Sequence, residues 1–85
     1  MPKSVFTDAY ASVVSHLVRL RKEKGVSQVE LARRLGKTQQ FISYVERGER
    51  RVDLVEFYAF AIALGGDPLA LFADVIQEIP ERVEI

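Results

Sequence analysis

The residues best equipped for chemistry in this sequence are two adjacent amides, Gln39 and Gln40, followed by Ser43 and Tyr44 at helical steps and bordered by Arg33, Arg34, Lys37, Arg47, Arg50 and Arg51. A primary amide donates and accepts at once, which matches the N6/N7 pair on the major-groove edge of adenine. Such groups read DNA when a helix carries them into the groove on its exposed first turns. The bland alternative is a solvated face, which Gln-Gln on an arbitrary helix usually is. Catalytic chemistry has less to work with. There is no cysteine, one histidine (His16) and no Gly-rich phosphate loop, so no nucleophile-base pair occurs at recognisable spacing and no enzyme is expected. His16 has no companion ligands for a metal and reads as an exposed or half-buried neutral side chain; no metal and no cofactor is implied.

Two short helices joined by a tight turn must position those side chains. Ser27 with Glu30 three residues on has the form of a capping box and starts the first of them. Val29, Ala32 and Leu35 recur at helical spacing with Leu31 widening the stripe, while Arg33 and Arg34 are left on the other side. Gly36 stands where a helix ends in a left-handed residue. Thr38 then caps a second helix running through Arg47, in which Ile42 and Val45 face the core and Gln39, Gln40, Ser43 and Tyr44 point elsewhere; Gly48 stops it.

The run from Ser27 to Gly48 has the form S-Q-x-x-L-A-x-x-L-G-x-T-Q-Q-x-I-S-x-x-E-x-G, and over roughly residues 17 to 65 the chain resembles the Cro and phage-repressor (Xre-like) family of helix-turn-helix regulators. The resemblance implies an all-α, five-helix lambda-repressor-like DNA-binding domain with the helix-turn-helix, 27–47, at helices two and three. It implies that Gln39, Gln40 and Tyr44 contact bases, with Ser43 and Thr38 near the backbone. Gln28 would bind phosphate and brace the reading residue, and Arg21 and Glu46 would form a salt bridge between helices one and three. If that pair is buried, removing one partner costs about 3–5 kcal/mol, because a charge is left unpaired out of water. Phe41 and Tyr44 on the reading helix depart from the best-known phage members, so the family's base preferences do not carry over.

At 85 residues the chain is long enough for one modest core, and a single domain over 1–85 is expected. The absence of cysteine fits a reducing cytosol, and no run approaches the roughly 18 apolar residues that cross a bilayer, so a cytoplasmic protein without membrane or small-molecule partners is expected. Formal net charge is zero, which argues against nucleic acid until its distribution is considered. From Arg19 to Arg51 ten Lys or Arg face four Glu, a net of +6, so the remainder carries −6. DNA responds to that local basic surface rather than to the total. Arg47, Arg50 and Arg51, around the loop after the reading helix, are candidates for phosphate contacts, with Arg33, Arg34 and Lys37 behind them.

Residues 1 to 6 read as a short arm, poor in the arginines of minor-groove arms. From about Thr7 to Lys24, Tyr10, Val13, Val14, Leu17 and Leu20 make an amphipathic helix stopped by Gly25. Asp53 with Glu56 caps a further helix whose Leu54, Phe57, Ala61 and Leu64 form the core stripe; Tyr58 or Phe60 must meet a second surface. Asp67-Pro68 opens helix five, with Leu69, Phe72, Val75 and Ile76 at helical spacing, Leu71 beside them, and Pro80 ending it.

That last third is more apolar than a monomer needs. A homodimer through helix five and the tail (67–85), using Leu69, Phe72, Val75, Ile76, Val83 and Ile85, would set two reading helices about 34–36 Å apart; the competing reading is that helix five only completes the monomer core. Val83 to Ile85 alternates as a short strand does. The expectation is therefore a homodimeric regulator, a repressor in the absence of a sensor domain, that reads the bases of a near-palindromic site in double-stranded DNA through Gln39, Gln40, Ser43 and Tyr44. The alternative is a protein-interaction module, such as an antitoxin that keeps the fold.

Overall fold

The computed structural model describes residues 8–83, which form five α-helices and, among the described residues, no strand. The helices are α1 (Asp8–Glu23), α2 (Gln28–Leu35), α3 (Gln39–Glu46), α4 (Leu54–Ala63) and α5 (Pro68–Gln77). Their ends follow local chemistry. Ser27 Oγ accepts from Glu30 N at the start of α2, Thr38 Oγ1 from Phe41 N at the start of α3, and Asp67 Oδ1 from Leu69 N beside Pro68 at the start of α5. At α4 the full reciprocal box is present, Asp53 Oδ1 accepting from Glu56 N while Glu56 Oε1 accepts from Asp53 N. The box expected at Ser27 is only half made, because the Glu30 carboxylate turns to Arg33 and Arg34 instead. Gly36, at φ 67, ends α2 and lets Lys37 N return to Ala32 O, so that α3 starts within three residues.

α1 packs against α3 and α5, α2 against α3 and α4, and α4 against α5. Between them Leu17, Leu31, Ile42, Val45, Phe57, Phe60, Leu64 and Val75 make one core. Ile42 and Val45 fix the inward face of α3, and that decides what is left to point out.

Several expectations give way here. Val75 has no exposed surface and is a core residue, not an interface one. Val29 and Leu54, assigned to core stripes, are 66% and 74% exposed, and both sit in the first turn of a helix. Of the three clustered rings Phe57 and Phe60 share the core, and Tyr58 is the exposed one. His16 is buried, not exposed: its Nδ1–H donates to Ser12 O at 2.7 Å, and Ser12 Oγ in turn donates to Val75 O at 3.0 Å, stitching α1 to α5. Val83 is exposed irregular chain; the remainder of the expected strand, Ile85 included, lies outside the described residues, as do the arm at 1 to 6 and Thr7.

Candidate nucleic-acid interface

With Ile42 and Val45 turned inward, Gln39 and Gln40 are exposed on the first turn of α3, Tyr44 is exposed one turn on, and Ser43 is half-buried. Gln39 does not swing loosely. Arg21 Nε and Nη2 donate to the two oxygens of Glu46 at 2.6 and 2.9 Å; Glu46 Oε1 also accepts from Gln28 Nε2 at 2.8 Å; and Gln28 Oε1 accepts from Gln39 Nε2 at 2.7 Å. This relay joins α1, α3 and α2 and ends on an amide at the tip of α3. Its inner half is shielded, with the Arg21 and Glu46 side chains only 11% and 10% exposed, and Arg21 Nη1 also ties down the loop by donating to Val26 O at 2.8 Å. One Gln39 N–H is used; its other N–H and its carbonyl oxygen have no partner among the described residues.

Gln40 and Tyr44 form a second unit, Gln40 Nε2 donating to the tyrosine hydroxyl at 2.9 Å. Over the tyrosine ring lies the Arg47 guanidinium, 5.0 Å from its centroid. Arg47 also donates to Ser43 Oγ at 2.7 Å and to Glu49 at 3.0 Å, so Ser43 is engaged within the helix.

Of the cationic residues Arg47 is the one placed against Tyr44 and Ser43, and most of the others are engaged elsewhere. Arg33 and Arg34 both bind the Glu30 carboxylate, and Arg34 donates to Ala63 O. Those bonds, from Arg33 first and then Arg34, hold the Glu30 carboxyl down at about 2. Arg50 pairs with both oxygens of Glu56 across the α3–α4 loop, and that pairing, before the Asp53 N–H, lowers the Glu56 pKa. Lys37 and Arg50 lie 5.4 and 4.7 Å from the centroid of Phe41, whose ring packs on Phe60. Arg51 stacks 4.8 Å from the Tyr10 ring, while the Tyr10 hydroxyl accepts from Val52 N and anchors the loop; burial raises that hydroxyl's pKa. Thr38 is spent on capping α3.

Sequence reasoning passed over Glu49 and Glu56 as partners of these arginines, and Phe41 and Tyr10 as the rings that carry them. The Glu30 pairings were available as i,i+3 and i,i+4 spacings; Arg50 to Glu56 crosses a loop and has no periodic signature.

A second exposed surface lies on α4 and α5. Leu69, at 79%, is the most exposed large apolar side chain among the described residues; Phe72, Ile76, Leu54, Val55, Tyr58 and Ile62 are exposed as well, as is Val83 in the chain after α5. Phe72 leans on Phe57, ring centroids 5.9 Å apart, and an apolar groove runs between Leu54, Tyr58, Pro68 and Leu69. Among the described residues no group of three or more His, Asp or Glu is arranged to hold a metal, and no single helix is long and apolar enough to cross a membrane.

Residues 17–71 match the family described as Helix-turn-helix. The chain is 45% identical, over 53 residues, to y4dJ of Sinorhizobium fredii (strain NBRC 101917 / NGR234), described as an uncharacterized HTH-type transcriptional regulator; the match spans 62% of this chain and 69% of that one. It is similar to an XRE-family like protein from Pseudomonas syringae pv. tomato str. DC3000, with a TM-score of 0.79 and 39% identity over 85% of this chain and 88% of the other. A likeness of fold, TM-score 0.77 at 23% identity over 86% and 96% of the two chains, extends to the restriction-modification controller protein C.Esp1396I, solved as a tetramer with its natural 35 base-pair operator.

Proposed function

The chain belongs to the helix-turn-helix family of XRE-type transcriptional regulators, which bind DNA and are not enzymes, and from that premise we propose that it is a repressor that binds a near-palindromic operator as a homodimer. In this reading α3 enters the major groove, Gln39, Gln40 and Tyr44 reach base edges, and Ser43 keeps Arg47 against the helix. Gln28, Thr38 and the cations Arg33, Arg34, Lys37, Arg47, Arg50 and Arg51 lie along the sugar-phosphate backbone.

The observation that carries the proposal is the relay from Arg21 through Glu46 and Gln28 to Gln39. It holds an amide in one orientation on the exposed first turn of a helix whose next turn carries Tyr44 under the Arg47 guanidinium, an arrangement that stability alone does not require. The dimer rests on the exposed face of α4 and α5, where Leu69, Phe72 and Ile76 are joined by Leu54, Val55, Tyr58 and Ile62, with Val83 exposed in the chain beyond α5; Val75 belongs to the core and plays no part. Residues 1–85 then act as one unit, with helix five and the tail as the association segment.

The test is selection of bound sites from random duplex DNA. A palindromic motif is expected. Gln39→Ala should lose about 1–3 kcal/mol on that motif and little on random DNA, whereas Arg51→Ala should weaken both and lower the salt slope by about one. Equal loss on every sequence in the glutamine variant would reject base reading. The same apolar face favours a second reading, a protein-interaction module such as an antitoxin: then no motif is enriched, and the partner contact survives high salt, which dissolves phosphate-driven binding.

A further inference from the structure

The bond between Gln40 and Tyr44 constrains what this helix tip reads. We propose that the two side chains act as one jointed reader of a single adenine, with the Tyr44 hydroxyl contacting N7 and Gln40 Oε1 accepting from the N6 amine. The inference deepens the base-reading proposal and rests on it.

Gln40 Nε2 donates to Tyr44 Oη at 2.9 Å, which fixes the sense of the amide. The hydroxyl accepts that bond and keeps its own proton to donate; the amide keeps Oε1 to accept. The outward edge therefore carries a donor and an acceptor on different side chains. Two further contacts hold it. Arg47 lies 5.0 Å from the centre of the tyrosine ring and is itself pinned to Ser43 Oγ and Glu49, so the ring has a cation on its face and little room to turn.

Of the four bases only adenine presents an acceptor, N7, beside a donor, N6–H, in the major groove. Guanine presents N7 and O6, two acceptors, and sets O6 against Oε1. Turning the amide to suit guanine draws the tyrosine proton onto Oε1 and takes the donor away from N7. Tyr44 is thus a specificity-determining residue: its hydroxyl sets the polarity of its neighbour's amide.

The experiment uses duplexes recovered by selection from random DNA, with each half-site adenine replaced in turn by 7-deazaadenine, which lacks N7 and keeps the amine, and Kd measured by fluorescence anisotropy for wild type, Tyr44→Phe and Gln40→Ala. The expected result is one adenine at which wild type weakens about 5- to 15-fold on 7-deaza substitution, as for one lost hydrogen bond. Tyr44→Phe should bind the natural site with a similar loss and be indifferent to 7-deazaadenine there, and Gln40→Ala should relax selection at that same base pair. Sensitivity of the two variants at different base pairs, selection of guanine at the shared one, or a Tyr44→Phe protein that still responds to 7-deazaadenine overturns the joint reader and leaves base reading standing. Enrichment of no site at all, or equal losses on random duplex, overturns both.

Discussion

Glu46→Gln removes one charge and keeps nearly every atom, so it tests the relay with little change of shape. The Glu46 carboxylate accepts from Arg21 Nε, Arg21 Nη2 and Gln28 Nε2. An amide in its place offers one oxygen and turns an NH2 toward the remaining donors. Arg21, 11% exposed, then keeps its charge with only Val26 O firmly against it. Breaking a shielded pair from one side costs about 3–5 kcal/mol, a large part of the roughly 5–15 kcal/mol that a small domain has. Thermal unfolding should fall by at least about 12 °C, at about 4–8 °C per kcal/mol for a chain of this length. Urea denaturation of wild type, Glu46→Gln and Arg21→Met/Glu46→Leu gives the check. The double variant removes both charges and should recover most of the lost stability. Its affinity for the selected operator, measured well below its melting point, should remain about 5- to 10-fold down because Gln28 has still lost the acceptor that steadies it against Gln39. A loss below about 1 kcal/mol in Glu46→Gln, or a double variant no more stable than the single, refutes the argument that desolvation makes this pair costly to break.

Val75→Ala should lower stability by about 2–3 kcal/mol in urea denaturation, as for emptying a closed site, whereas Leu69→Glu should change it by less than about 0.5 kcal/mol and shift the protein to monomer in sedimentation equilibrium; a monomeric wild type would remove α5 from the interface. Glu49→Gln takes away the carboxylate that engages Arg47 and should tighten binding to random duplex by about 1.5- to 5-fold at low salt, matching an exposed ion pair; unchanged affinity would mean that Arg47 stays on Ser43 and Tyr44. Glu30 should titrate by carboxyl NMR with a midpoint near 2 rather than 4.5. Since its folded pKa is depressed, what its pairs with Arg33 and Arg34 contribute is complete above about 4.5 and is lost as pH falls toward 2; a midpoint at the ordinary value would mean that the pairs do not persist in solution.

Helix existence was legible wherever the cause is local, as was the inward face of α3, whereas the first-turn Val29 and Leu54 were read inward and are exposed. Ile42 with Val45, Asp53 with Glu56, and Gly36 each act within a few residues, and the five helices follow from such signals. Where a residue has two possible partners, local reading chose wrongly: Glu30 has the spacing for a capping box and also for ion pairs with Arg33 and Arg34, and the guanidinium groups prevail. On α5 the same spacing describes a stripe for the core and a stripe for a partner. A single helical step of about 100° separates Val75, with no exposure, from Ile76, which is exposed, and no pattern in one helix states which side its neighbours occupy. The contacts of the candidate interface are further from local reading. Gln28 meets Gln39 across 11 positions and Arg21 meets Glu46 across 25, which periodicity cannot address and only the resemblance indicated. Arg50 with Glu56 and Tyr10 with Val52 had no signal of either kind.

Zero net charge and a DNA partner are reconciled by the way the cations are held. Arg33, Arg34, Arg47 and Arg50 each engage a carboxylate of the same chain before any duplex arrives. If these four arginines meet phosphate as proposed, it must displace Glu30, Glu49 or Glu56, so that each of those contacts would exchange one ion pair for another and reduce the sequence-independent attraction that dominates non-specific binding. The proposed contacts to base edges would undergo no such competition, because Gln39 and Gln40 are held by neutral neighbours and keep hydrogen-bonding groups without partners among the described residues. The ratio of specific to random binding is what decides occupancy against a genome of competing sites. In the proposed complex, pre-paired arginines would raise that ratio by weakening the random term. For this reason Glu49→Gln should increase affinity and lower discrimination together, a combination that a simple count of basic residues would not anticipate.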